Sequence, residues 1–226
     1  MRAWLLLAGF LLQAGIAAAA PPAVCPVPGK VGDCIFFSFD WDKAGVPKYT
    51  IVVQENHIVH YWEGDSFYDE AQRAKPSLTL SDVTFKKIFT ATEPGMLHDC
   101  ETKLHKIAQT GKKTLQWYDG DQYAGCTFNY SENERLNDIA ATFMAMAETM
   151  QIGDKLKHDQ RFDRLSLDAE MDSLVEEVKA GRAIEVQNIA PVLQNIINDD
   201  RVLERVRRKA ARLLEAAGVA VKAFAS

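Results

Sequence analysis

The sequence predicts an α+β fold, in which an antiparallel sheet of five or six strands carries helices on one face and is followed by a small α-helical region. Residues 35–130 alternate apolar and polar side chains in short runs between turn residues, which is typical of strands with occasional helices. Residues 133–217 instead repeat apolar side chains every three or four positions, which is typical of helices. The 226 residues are 47% hydrophobic and 25% charged, the composition of an ordinary folded protein.

The first 19 residues have the pattern of a secretory signal peptide. Arg2 precedes an apolar run over residues 4–16, and small alanines follow that run. The run is short for a bilayer core about 30 Å thick, so a retained membrane anchor is the weaker alternative. Cleavage after Ala20 would place Pro21 directly after the cleaved bond, and proline lacks the N–H that an extended protease substrate offers. We therefore favour cleavage after Ala19. We expect an exported protein, periplasmic or secreted, with no transmembrane span after cleavage.

The four cysteines all lie in the part of the chain that is exported. Disulfides are the default in an oxidising compartment, and three pairings are possible. Pairs that are close in sequence close their loops at the least entropic cost. We therefore favour Cys25 with Cys34 and Cys100 with Cys126 over the other two pairings.

Six short segments are candidate strands. The first three, at residues 35–41, 49–55 and 58–63, form a meander in which Asn56 and His57 make a two-residue hairpin turn. A fourth strand covers residues 77–80. The last two, at 114–118 and 122–130, flank Asp119-Gly120-Asp121, a strong hairpin signal.

Helix start and stop residues divide the remaining chain. Ser81 begins a first helix that Pro94 and Gly95 end, a second helix covers residues 96–110, and a third runs from Asn133 to Gly153. Residues 154–165 are highly charged and are predicted to form a linker. The sheet domain then covers residues 23–151.

The predicted helical region covers residues 163–218. Its first helix begins at Ser166 and ends at Gly181, and its second lies across Pro191. Asp199 or Asp200 begins the last helix, with these apolar side chains directed inward: Val202, Leu203, Val206, Ala210, Leu213 and Leu214.

Two segments resemble known families. Residues 49–64, which end in Tyr61-Trp62-Glu63-Gly64, together with the helix start at Leu80-Ser81, resemble uncharacterised exported bacterial α+β families. Their core is a strand, a tight turn, a strand ending in Tyr-x-x-Gly and a helix, and the resemblance implies a fold type without an activity. Residues 186–217 resemble a single HEAT-type helical hairpin, which implies a binding face.

His98, Glu101 and His105 form the candidate metal site. They are spaced i, i+3 and i+7 on the predicted second helix, so the three side chains would project from one face. A transition metal is the candidate cofactor of this site. The alternative is a solvated helix face beside an apolar stripe, in which case the protein needs no cofactor.

Arg201, Arg205, Arg208 and Arg212 line one face of the predicted last helix and form the candidate partner-binding site. Such a face can bind an acidic protein partner or anionic lipid head groups. The alternative is the water-facing side of an amphipathic helix, with cations near its negative C-terminal end.

Missing motifs and the net charge argue against several classes of function. The sequence has no G-x-S-x-G, H-E-x-x-H or glycine-rich nucleotide loop, and its formal net charge of −5 argues against nucleic acid as a partner. We predict a non-catalytic binding or interaction module of the cell envelope with a protein partner. A metal-dependent or carboxylate hydrolase is one alternative, because acid and base residues can come from distant positions. A secreted inhibitor that uses the hairpin loop at residues 119–123 is another.

Overall fold

A computed structural model of the chain describes residues 25, 33–64, 78–102, 108–120 and 122–221. The signal-peptide prediction for residues 1–19 lies outside the described residues. The strands are β1 Cys34–Asp40, β2 Lys48–Gln54, β3 Ile58–Glu63, β4 Leu78–Thr79, β5 Lys112–Asp119 and β6 Gln122–Phe128. The helices are α1 Asp82–Ala91, α2 Glu134–Phe162, α3 Leu167–Lys179, α4 Ala190–Asn198 and α5 Glu204–Ala216.

The six strands form one open antiparallel sheet in the order β4-β3-β2-β1-β5-β6. This confirms the predicted α+β class, the meander and the β5–β6 hairpin. The turn between β2 and β3 differs from the prediction because it has three residues, 55–57, and His57 takes a left-handed conformation at φ 66°. The N–H of His57 donates to the carbonyl of Gln54 at 3.0 Å, which closes the turn.

The two faces of the sheet have separate apolar clusters. Alternate residues of β1 and β2, including Phe37 and Ile51, are buried under the helices, and Phe37 stacks on Phe143 of α2 at 4.8 Å between ring centroids. On the other face, Phe36 and Trp62 belong to a second cluster with the Cys25–Cys34 disulfide. The helices therefore cover one face, as predicted.

Both favoured disulfides are present, Cys25 with Cys34 and Cys100 with Cys126. The two disulfides fit an exported protein, because such bonds persist in oxidising compartments. No helix within the described ranges combines the length and apolar character needed to cross a bilayer.

The predicted second helix is wrong at its beginning. Residues 94–97 form a short 3-10 helix and residues 98–102 are not helical, whereas residues 103–107 lie outside the described part. Two contacts with the end of the β5–β6 hairpin explain the difference. Cys100 is tied to Cys126 of β6, and the N–H of Thr102 donates to the carbonyl of Tyr130 at 2.9 Å. These tertiary contacts override the helical spacing.

Helix α2 does not end at Gly153, and residues 154–162 are helix rather than linker. Gly153 is buried, and a Cβ there would lie 2.5 Å from Cγ2 of Ile189. The glycine therefore allows a second segment to approach the helix closely and does not stop it. The charged residues that suggested a linker are mostly on the exposed side of α2, while Leu156 is fully buried.

The helical region packs against the sheet domain. The Asn188 side chain accepts from the N–H of Thr79 at 3.1 Å and donates to its carbonyl at 3.0 Å, so it pairs with the backbone of edge strand β4. The Glu185 carboxylate accepts from the N–H of Ser81 at 2.8 Å, at the start of α1. One apolar core runs from β1 to α5, and α2 bridges the two predicted domains.

The last helix begins later than predicted. Helix α5 starts at Glu204, after an N-cap at Leu203, so neither Asp199 nor Asp200 caps it. Asp199 instead follows the end of α4 and binds Arg201. Leu203 was predicted to point inward but is 51% exposed, because it precedes the helix and does not share its apolar face.

Candidate functional site

An apolar cleft of about 510 Å³ opens between the β1–β2 connection and helices α2 and α3. Its walls are mainly apolar, and a few polar side chains face into it. Such a concave site with convergent polar groups is the usual form of a small-molecule site. The residues that carry its character are Phe39, Trp41, Val46, Tyr49, Met144, Glu148, Gln151, Glu177 and Arg182.

Two elements set the shape of the cleft. Phe39 and Tyr49 are directly opposed on β1 and β2, and their rings stack at 5.2 Å. Beyond them the connection is closed by a hydrogen bond of 2.7 Å from the N–H of Trp41 to the carbonyl of Pro47. Met144, Glu148 and Gln151 follow at i, i+4 and i+7 on α2, so they lie on one side of that helix. The sheet supplies one aromatic wall and α2 supplies the polar one.

Glu148 has an unusual environment for a carboxyl group. It is half-buried, and it makes no hydrogen bond or ion pair with any residue that the structure describes. Burial raises the pKa of Glu148, and the nearby carboxylates of Glu177 and Glu170 raise it further. Arg182 opposes this rise. The Glu148 carboxylate is therefore destabilised and without a partner.

Glu177 and Arg182 form a closed pair at the edge of the cleft. The Arg182 guanidinium donates two hydrogen bonds to Glu177, at 2.6 and 2.8 Å. This contact lowers the pKa of Glu177, which stays ionised. Gly181 lies between α3 and Arg182 with φ 69°, a conformation that glycine adopts without strain. Because Arg182 is already bound to Glu177, it does not neutralise Glu148 directly.

Tyr49 places a hydroxyl group in the cleft. Burial raises the pKa of Tyr49, so the phenol stays protonated over the whole physiological range. Its oxygen makes no hydrogen bond within the described part of the chain, and it is therefore available to a ligand as donor or acceptor. With Glu148 and Gln151, it gives the apolar cleft three polar contact points.

The structure describes only two of the three residues of the predicted metal site. His98 and Glu101 are exposed and lie in the non-helical stretch, so the helical spacing that placed them on one face is absent there, and His105 is outside the described residues. Among the residues that are described, no group of three or more His, Cys, Asp or Glu side chains is arranged to hold a metal ion.

The predicted arginine face is largely ion-paired. Arg201 binds Asp199 at 2.9 Å, Arg205 binds Asp168 at 2.8 Å, and Arg208 lies 3.6 Å from Glu204. Arg212 is exposed and has no ion pair within the described ranges. The four arginines are thus not equivalent, and Arg201 and Arg205 line surface grooves.

The cleft was not found from the sequence. The spacing of Met146 and Met150 predicts a core-facing stripe on α2. Met144, Glu148 and Gln151 form the adjacent stripe, for which the sequence alone predicts no role. A mixed apolar and polar stripe beside a core stripe is a weak signal. The aromatic residues that complete the site, Phe39, Trp41 and Tyr49, come from the β1–β2 hairpin far earlier in the chain, so no local spacing reveals them.

Comparison with protein-family models, curated protein sequences and solved structures finds no match to this chain.

Proposed function

We propose that this protein is an exported, non-catalytic binding module of the cell envelope whose cleft takes a small, mainly apolar molecule that carries a cationic amine. The observation that carries the proposal is the lone Glu148 carboxylate on the wall of an apolar cleft. A half-buried charge without a partner lowers the stability of the fold. Groups of this kind are typical of binding and catalytic sites, where a ligand supplies the missing partner.

A cationic amine fits the site in two ways. Its ammonium group supplies the hydrogen bond and the opposite charge that Glu148 lacks. The aromatic walls, which include Trp41 and Tyr49, suit both an apolar body and a nearby cation. An anionic ligand would instead meet Glu148 and Glu177, and Arg182, the one cation among the described residues of the cleft, is already bound to Glu177.

The test is calorimetric titration of the disulfide-bonded protein with three ligands of similar size and different charge: phenethylamine, phenethyl alcohol and hydrocinnamate. We expect the amine to bind best and the carboxylate worst. Glu148→Gln should weaken amine binding by at least about tenfold, the effect of losing one charged hydrogen bond, and leave the alcohol nearly unchanged.

Glu176→Gln is the matched control, because Glu176 is an exposed glutamate on α3 that does not line the cleft. It should leave the affinity for all three ligands unchanged. Equal affinity for the amine and the carboxylate, or equal loss in both variants, would contradict the proposal.

A carboxylate hydrolase is the second candidate function, and one observation favours it. Glu148 and Glu177 line the same cleft with pKa values shifted in opposite directions, raised for Glu148 and lowered for Glu177. Two carboxyl groups whose pKa values are shifted apart are the arrangement used for acid–base hydrolysis. Turnover of aryl glycosides that both Glu148→Gln and Glu177→Gln abolish would establish it, and absence of turnover in the wild type would exclude that substrate class.

A further inference from the structure

Three large apolar side chains are exposed at the end of the molecule where α2 meets α3 and α4 meets α5. Phe162 is 70% exposed, Leu165 is 94% exposed and Leu203 is 51% exposed. Single exposed apolar residues are ordinary on a protein surface, whereas a group of them marks an interaction site. These three flank two adjoining grooves.

The grooves lie on either side of two arginines. Leu165 and Leu203 line a groove of about 460 Å³, and Phe162 lines a neighbouring one of about 860 Å³. Arg164 and Arg201 line both grooves and form the ridge between them. We call the set Phe162, Arg164, Leu165, Arg201, Leu203 and Arg205 the arginine–leucine surface.

The charges of this surface are layered. The Asp199 side chain is 8% exposed beneath Arg201, which is 67% exposed. Asp168 is 23% exposed beneath Arg205, which is 61% exposed. In these two pairs the carboxylate lies inside and the guanidinium group outside. Asp172 and Asp200 also line the grooves and are exposed, but Arg161, Arg164, Arg201 and Arg205 line them as well, so an approaching partner meets more cations than exposed carboxylates.

Two further arginines have no carboxylate partner within the described part of the chain. Arg164 donates through Nε to the carbonyl of Gln160 at 3.1 Å, which orients its guanidinium group without neutralising it. Arg161 lies over the Phe162 ring at 5.3 Å from the centroid. Asp163 and Asp200 are the exposed carboxylates nearby in the chain, and Asp163 already accepts a hydrogen bond of 2.7 Å from Ser166.

We propose that the arginine–leucine surface docks an acidic, leucine-rich segment of a partner protein, whose carboxylates bind Arg164 and Arg161 beside the larger, mainly polar groove and whose apolar side chains enter the groove that Leu165 and Leu203 line. Grooves with an apolar rim accept side chains of a peptide.

This surface is separate from the ligand cleft. Glu148 and Phe162 are fourteen positions apart on the continuous helix α2, a distance of roughly 21 Å along its axis. The docking proposal therefore stands or falls independently of the amine-binding proposal.

The experiment selects binders from a random dodecapeptide display library on the immobilised, disulfide-bonded protein. We expect the enriched peptides to combine leucine or phenylalanine with aspartate or glutamate. Their affinity, measured by fluorescence anisotropy, should fall by at least about tenfold on the Leu165→Ser, Leu203→Ser double variant and on Arg164→Gln.

Two controls use similar residues outside the grooves. Val83→Ser changes an apolar side chain on α1 that is 79% exposed, and Arg212→Gln removes an exposed arginine of α5. Both should bind the peptides as the wild type does. Peptides without net negative charge, or peptides that bind the groove variants unchanged, would overturn the proposal. Binding to phosphatidylglycerol vesicles that the same variants abolish, without selection of acidic peptides, would assign the surface to a membrane instead.

Discussion

The cleft and the arginine–leucine surface place carboxylates in opposite circumstances. Glu148 is half-buried beside apolar walls and has no partner among the described residues, and its pKa is raised. The Asp199 side chain is 8% exposed, and it accepts hydrogen bonds from Arg201 at 2.9 and 3.1 Å, which lower its pKa to about 2. The difference shows that a hydrogen-bonding partner decides whether a covered carboxylate stabilises this fold.

The same contrast separates structural groups from groups available for binding. At the arginine–leucine surface, Asp199 accepts hydrogen bonds from the N–H and the guanidinium group of Arg201. These bonds fix the α4–α5 connection and hold the Arg201 side chain on the outside. In the cleft, the capacity of Glu148 is unused. A ligand that binds Glu148 can therefore stabilise the folded protein there, as Arg201 does at Asp199.

The largest expected effect comes from removing the partnered carboxylate. Asp199→Ala breaks the paired contact with the Arg201 guanidinium and the bond of 3.1 Å from the Arg201 N–H. We expect the free energy of unfolding at pH 7, measured in urea, to fall by about 2 kcal/mol. Asp200→Ala, at an exposed neighbouring position, should change it by less than about 0.5 kcal/mol. Equal effects at both positions would mean that the Arg201 contact adds nothing.

The contribution of Asp199 should also depend on pH in a defined direction. Its pKa falls from 3.8 to about 2 on folding, so its stabilisation is complete above pH 3.8 and is lost as the pH drops through 2. The stability difference between the wild type and Asp199→Ala should therefore shrink over that interval. Urea titrations at pH 4, 3 and 2 measure it, and a difference independent of pH would show that the carboxylate charge is not involved.

The fold could be predicted largely because its signals are local. The β-branched and aromatic residues of β1 and β2, the Asp119-Gly120 turn and the Ser81 cap are all local signals, and the structure contains the strands, the hairpin and the helix start that they predict. Position 153 shows the limit. A glycine among charged residues indicates a helix end, yet here it makes room for Ile189, a contact that only tertiary structure creates.

The next largest effect is expected at the contact between Gly153 and Ile189, through which α2 connects the sheet domain to the helical region. Gly153→Ala gains about 1 kcal/mol in helix propensity but forces a Cβ to within 2.5 Å of the buried Ile189 side chain. We expect a net loss of about 1 kcal/mol in the free energy of unfolding. Adding Ile189→Val to the Gly153→Ala variant tests whether that side chain is the source of the clash, since the cost of the glycine change should then be smaller. A stabilised Gly153→Ala protein would show that the helices separate without penalty.

The candidate site was less predictable than the fold for a physical reason. A carboxylate on a helix is ordinary, and Glu148 becomes distinctive only where Trp41, Tyr49 and Glu177 surround it. These residues belong to three other segments, so their meeting depends on the packing of the whole sheet against α2 and α3. The spacing behind the predicted metal site was local, but the helix that it assumed is absent at His98 and Glu101, where tertiary contacts override it.

The smallest expected effect is a gain in stability. Burial and nearby carboxylates raise the pKa of Glu148 above 4.5, so its ionised form destabilises the folded protein as the pH rises through that raised value. Glu148→Gln should therefore match the wild type at pH 4 and become more stable at pH 8, by less than about 1 kcal/mol because the site is half-open to water. Urea titrations at both pH values measure the gap. Phenethylamine should close it by stabilising the wild type more than the variant, and a wild type that is more stable than Glu148→Gln at pH 8 without ligand would show that the carboxylate already has a partner.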